Sequence, residues 1–442
     1  MMRISRTFSF AFAAFALSAQ TLHSQTATRS SDTVYLDVLQ RAAESTDRRA
    51  AQIELLNSQS ALRLQTIRNE RLPMLNGSAT AQYLSDVVSV SSVFGGALPG
   101  GLQLPTPYHD QYDASVTARA PLFDATRTKR VAVENAQNAE SVARIKAAQW
   151  QQRQQVSDAF FAIQLYDVQL KSTDIAIADL TARRTAAQQR VGAGSALPSE
   201  VLLLEAELLR RNQSRTELAA QRSATRDVLN SIVRSDIPPD ATLAVRGETA
   251  AGSNAEIISP RGRPEYQQFA RTHELINSRS AELSARDLPR VSAFGRLGYG
   301  RPGLNPLGRS FDGYWNAGLQ LEWSPFNYGR TKRDLQSQRL QSQITDSEED
   351  TFTESLARAA FAQRGQITAL QQSLPMDDSI VALRERVLRE TRLRFDEGEI
   401  TSADYIARLT ELTSAQLDRD ARRVRLSEAR ARYLTTIGRE VR

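Results

Sequence analysis

The chain has no cysteine and only three histidines, His23, His109 and His273, far apart along its 442 residues. The first absence excludes disulfides, thiolate metal sites, cysteine nucleophiles and a lipid-bearing N-terminal cysteine. The second leaves no histidine cluster in sequence, so no metal centre and no cofactor are expected. Lysine is nearly missing as well, confined to Lys129, Lys146, Lys171 and Lys332. The net charge of +6 therefore rests on arginine. Those arginines are scattered among nearly as many acids, without the dense basic tract that nucleic acid requires. No phosphate loop and no nucleophile arrangement is visible, so catalysis is not expected. Beyond residue 24 no apolar run approaches the roughly 20 residues of a membrane helix.

What is present begins with a signal-peptide pattern over residues 1–24. Arg3 and Arg6 precede an apolar run from Phe8 to Leu17, and the small residues Ser18, Ala19 and Ser24 follow. The rest of the chain repeats itself. Leu72-Pro73 returns as Leu288-Pro289, Arg127-Thr128-Lys129-Arg130 as Arg330-Thr331-Lys332-Arg333, and Arg190–Gly194 in altered form as Arg394–Gly398. The order is the same and the offset nearly constant. The expected units are residues 25–248 and 249–442, joined by a proline- and glycine-rich linker at 236–264.

Each unit reads helix, strand, loop, strand, very long helix, turn, helix. The opening helices are expected near 34–72 and 264–287. The long helices are expected near 125–190 and 329–394, each about 100 Å at a rise of about 1.5 Å per residue. Pro375 is expected to kink or interrupt the second. Pro121 and Pro325 are expected to end the strands before them, with Asp124 and Asn327 capping the long helices.

The strand candidates are 74–84, 112–121, 290–299 and 315–324. In the last, Trp315, Ala317, Leu319, Leu321 and Trp323 alternate with Asn316, Gly318, Gln320, Glu322 and Ser324. The other three keep the same two-sided phase, broken only by Phe294 on a polar face. About ten residues suits a tilted strand crossing a bilayer, and Tyr83, Tyr112, Tyr299, Trp315 and Trp323 fit an aromatic girdle. Four strands cannot close a barrel, and an open edge in lipid leaves backbone groups unpaired at several kcal/mol each. Several copies must therefore share one barrel. A soluble periplasmic coiled-coil adaptor is the rival reading, and it would leave the strand faces wet.

Pro121-Leu122-Phe123-Asp124, Phe326-Asn327-Tyr328-Gly329-Arg330, Gly262-Arg263-Pro264-Glu265 and the turns at 190–200 and 394–404 together resemble the TolC family of outer-membrane efflux proteins, over essentially the whole exported chain. The resemblance implies a mainly helical fold with membrane β: a homotrimer with a twelve-stranded transmembrane β-barrel on a long coiled-coil barrel of α-helices. It implies an exit duct in the cell outer membrane, reaching into the periplasm, for a tripartite efflux or type I secretion system. Its partners would be outer-membrane lipid, a periplasmic adaptor and an inner-membrane pump of RND, ABC or MFS type. Carried over by position, Arg190, Val191, Gly194, Arg394, Phe395 and Gly398 would form the adaptor-docking tips. Glu200 and Asp404 would form an acidic pore constriction, or merely stabilise helix N-termini. The family's second acid and basic latch residue are replaced here by Ala407 and Ile400.

Overall fold

The computed structural model describes residues 33–87, 108–246, 260–305 and 308–441. The expected signal peptide, most of the first strand–strand loop and the middle of the linker lie outside the described residues. In chain order the elements are β1 (Thr33–Tyr35), α1 (Leu36–Thr46), α2 (Arg48–Asn69), β2 (Met74–Tyr83), β3 (Asp110–Phe123), α3 (Ala125–Gly192), α4 (Pro198–Val233) and β4 (Thr242–Ala244). There follow α5 (Pro264–Ala285), β5 (Arg290–Arg301), β6 (Asp312–Glu322), α6 (Arg330–Asp396) and α7 (Ser402–Thr436).

The two long helices, α3 with 68 residues and α6 with 67, each lead from a sheet strand to a turn at the far end. Shorter helices flank them in tandem. The expected helix 34–72 is in fact two. Asp47 turns to ψ 129° and accepts a hydrogen bond from the Arg49 amide, starting a fresh helix. An aspartate that can satisfy a free amide competes with helix continuation. Pro375 does not interrupt α6. Its ring is on the exposed side. The helix is held in a core around its middle by Ile367 and in a second core towards its C-terminal end, the tip core, by Val381. Packing on both sides outweighs the one hydrogen bond that proline forfeits.

The core around the middle of the long helices gathers Leu36, Val156, Phe160, Phe161, Leu229, Leu243, Leu434 and Val441. There the short parallel pair β1–β4 ties Thr33 to Thr242. Arg153 is buried in this region between Glu44 and Glu440, with its guanidinium 4.2 Å from the Trp150 ring centre. A buried cation is tolerable only when paired in this way.

At the other end β2, β3, β5 and β6 form one antiparallel sheet in that order. Pro121 does not end β3. It pairs with Ser292 at a register irregularity, and the strand continues to Phe123. Disturbed pairing of this kind is where a strand tolerates proline. β6 stops at Glu322, so Trp323 and Ser324 lie beyond it. Asp124 caps α3 through the Thr126 amide at 2.9 Å. Asn327 does not cap α6; Gly329, at φ 72°, takes that position. Asn327 instead donates to Asp287 at 2.9 Å, where Thr331 also donates at 2.7 Å. In the first half, Arg130 pairs with Glu70. The repeated Arg-Thr-Lys-Arg segments thus fasten each long helix to the helix that enters the sheet.

Candidate functional site

The registers align the alternating patterns across all four strands. Gly77, Val116, Leu297 and Trp315 stand opposite one another in one row, and Leu75, Ala118, Gly295 and Ala317 in the next. The apolar residues therefore share one face. That face has no cover among the described residues: Leu297 is 67% exposed, and Trp315 and Leu319 are each 71%. Asn76, Thr117, Arg296 and Asn316 form a row of the opposite face, where Ser78 and Ser115 hydrogen-bond at 3.1 Å and Arg296 pairs with Asp113.

Phe294 on this polar face has a local reason. It stands opposite Gly318, where a Cβ would lie 3.0 Å from its ring. Tyr314 covers Gly298 in the same way, and more closely. Each ring packs over the neighbouring strand's glycine and shields its bare backbone.

The aromatic residues fall at two levels. Beside the strand–strand loops, Phe311 stacks on Tyr112 at 6.1 Å and on Tyr299 at 5.8 Å, while Tyr83 stacks on His109 at 5.7 Å. Trp315 is one row inside this rim, opposite Leu297. On the helix side Trp323 donates to the Asp287 carbonyl at 3.1 Å, and Phe123, Phe326 and Tyr328 are exposed around it. Alternation does not single out Phe311, Phe326 and Tyr328, because they lie outside the strands. The repeated Pro-Leu-Phe and Pro-Phe segments are the signal available for the helix-side level.

The far ends of α3 and α6 close in matching turns. The Ser195 amide donates to the Arg190 carbonyl and the Glu399 amide to the Arg394 carbonyl, both at 2.9 Å. Gly194 and Gly398 take φ 72° and 79°, in the left-handed region that glycine enters freely. Arg394 is exposed and pairs with Glu399 at 3.1 Å; Val191 is half-buried. Phe395 is not a surface residue. It is fully buried with Tyr405, the ring centres 5.1 Å apart, among Leu180, Leu204 and Leu388. A phenylalanine at the base of a turn is worth more inside the tip core than in water. Arg190 covers it, 4.4 Å from its ring centre, and donates to its carbonyl.

Both candidate constriction acids cap α7. Asp404 and Thr401 form a reciprocal capping box, with the Asp404 amide donating to the Thr401 hydroxyl at 3.2 Å. Hydrogen bonds from the Thr401 side chain and amide hold the Asp404 carboxyl below the usual aspartate range, and Arg408 adds to this. Asp404 is nevertheless exposed. Glu200, from the other hairpin, accepts from the Ser402 amide. Ile400 packs on the tip core and Ala407 is exposed. A second network has no counterpart in the sequence pattern. Asp179 of α3 accepts from the Tyr405 hydroxyl and pairs with Arg392 of α6, while Arg183 pairs with Asp396 at 2.5 Å. Nothing in spacing marks Asp179 among the many polar residues of α3.

This architecture is found in solved outer-membrane proteins. The chain matches CusC, described for transmembrane channel formation, at 14% identity and a TM-score of 0.69, covering 91% of this chain and 92% of that one. It matches the CmeC outer membrane channel of Campylobacter jejuni at 14% identity and a TM-score of 0.66, covering 98% and 94%. It matches the open state of the MtrE outer membrane channel of Neisseria gonorrhoeae at 18% identity and a TM-score of 0.65, covering 96% of each. No family model and no curated protein matches the sequence. The fold is thus the TolC type that the sequence resembles: a helical barrel component joined to a β domain.

Proposed function

We propose, from the premise that this chain has the fold of outer-membrane channels, that it is the passive exit duct of a tripartite efflux or type I secretion system. It stands in the outer membrane and extends into the periplasm. The observation that carries this reading is the four-stranded sheet, apolar and open on one face, polar on the other, and joined directly to helices of about 100 Å. A soluble sheet would cover its apolar face with its own chain. Here nothing among the described residues covers it, and lipid offers that cover. β2 and β6 each leave an edge unpaired among the described residues. Closure in lipid then requires further copies, and three copies give twelve strands.

The two halves, 25–248 and 249–442, act as structural repeats that each contribute two strands and one hairpin. Arg190, Val191, Gly194, Arg394 and Gly398 form the docking tip for a periplasmic adaptor, which links the duct to an inner-membrane pump. The exposure of Gly194, Arg394 and Gly398 supports this; Phe395 serves as the buried support beneath them. Asp404 and Glu200 line the constriction while also capping α7. The two roles are compatible for Asp404, because a capping box leaves its carboxylate open to water.

Purified protein reconstituted in planar bilayers should conduct as an oligomer without an energy source. A detergent-indifferent single chain that makes no pore would overturn the reading. Asp404→Asn should reduce cation over anion selectivity in the same bilayers, because a symmetric ring of carboxylates favours cations. Unchanged selectivity would confine Asp404 to capping.

A further inference from the structure

The rim beside the strand–strand loops carries two guanidinium groups on its apolar side. Arg301 is in register opposite Tyr112 on the outward face. It lies 4.5 Å from the Tyr108 ring centre, 5.4 Å from Tyr112 and 5.1 Å from Phe311. Arg309 also meets the Tyr108 ring, 4.6 Å from its centre. Neither arginine forms an ion pair among the described residues, whereas most arginines of the helical region do. Asp110, on the same face, offers Arg301 its backbone carbonyl at 3.2 Å and not its carboxylate. Asp312 faces the lumen in the row of Gly300 and accepts from Ser310 at 2.9 Å.

We infer that this rim binds the phosphate-bearing headgroup of a membrane lipid in the leaflet next to the loops. The inference rests on the membrane-wall reading given above. Aromatic faces hold arginine cations well at a lipid–water boundary but leave the planar donor edge free, and in Arg301 the Asp110 carbonyl takes only one Nη2–H of it. Phosphate is the group that such an edge grips with paired, charge-assisted hydrogen bonds. An uncompensated cation beside hydrocarbon is costly, and a lipid anion removes that cost. Arg301 sets the position, wedged among three rings with its Nε buried and unpartnered. Arg309 is exposed and extends the grip outward. Charge complementarity and the flanking apolar rows favour a lipid over a free ion.

The test uses the full chain, purified in neutral detergent and examined by native mass spectrometry. The probes are bis-phosphorylated lipid A, its dephosphorylated form and phosphatidylcholine. The phosphorylated lipid should be retained about tenfold more tightly than either other, the scale of a charge-assisted hydrogen bond. Arg309→Gln, which alters one exposed side chain, should lower that preference severalfold, and Arg301→Gln should abolish it. Equal retention of the three lipids, or an unchanged preference in Arg309→Gln, would overturn the proposal. So would displacement by inorganic phosphate at concentrations equal to the lipid's, which would mark a free-ion site. Conductance of the same preparations in bilayers reports separately on the duct, so a conducting protein without lipid preference refutes only the lipid site.

Discussion

At one end of the long helices Phe395 and Tyr405 are sealed from solvent by their own chain; at the other, Leu297, Trp315 and Leu319 stand open along a whole sheet face. Both regions carry large apolar side chains, and both are ordered by hydrogen bonds. They differ in what receives the apolar surface. The tip has four helices around it and closes locally. The sheet has one layer, and its apolar face and two edges are left open among the described residues; the proposed duct assigns the face to lipid and the edges to further copies. Burial inside a chain is therefore the wrong measure of what that sheet is for.

The comparison breaks most visibly if each end can be damaged alone. Phe395→Ala should cost about 3–5 kcal/mol, as expected for removing a buried aromatic. Trypsin should then cut at Arg190 or Arg394 in protein that still inserts and still forms its oligomer. Loss of insertion without tip cleavage would show that the tip is not self-contained. Leu297→Arg should do the reverse. A cation in the lipid-facing band costs about 2–4 kcal/mol near the bilayer midplane. Refolding into vesicles should fall sharply while the tip keeps its resistance to trypsin. Normal insertion of that variant would mean that this face meets protein or water.

Much of the sheet is legible in the sequence alone, because alternation with period two survives there with Phe294 as its one break. The registers place Leu297 beside Trp315 and Val116 as the phase requires. The long helices are equally plain, since Pro375 is the one proline within them and it does not interrupt α6. What sequence hides is cooperation between distant segments. Asp47 ends one helix and begins another through a side-chain bond that helix propensity does not register. Phe294 is out of place on its own strand and makes sense only with Gly318 opposite it. Phe395 resembles a surface residue because its turn matches the one at Val191, and only the packed hairpins distinguish them. Of the tip residues, the two glycines are readable from their turns. The Asp179–Tyr405–Arg392 contacts join three helices and leave no local pattern.

That same cluster provides the finest test of the tip as a closed unit. Burial pushes the Tyr405 hydroxyl up to about 12, the carboxylate of Asp179 pushes in the same direction, and Arg392 opposes. The folded protein thus holds this proton more firmly than an unfolded chain, whose tyrosine titrates near the ordinary value of 10.0. Stability from this group is fully present below pH 10.0 and is lost as pH rises toward about 12. Tyr405→Phe removes the hydroxyl while keeping the ring beside Phe395, and Arg392 still pairs with Asp179. The variant should be less stable by about 1 kcal/mol at neutral pH, the size of one buried hydrogen bond. Helical circular dichroism during guanidinium melts, repeated from neutral to strongly alkaline pH, measures the difference. The wild-type advantage should shrink through that alkaline window, because ionised Tyr405 can no longer donate to Asp179. A gap that stays constant through it would mean that solvent reaches the hydroxyl, and that the tip is no more enclosed than the sheet.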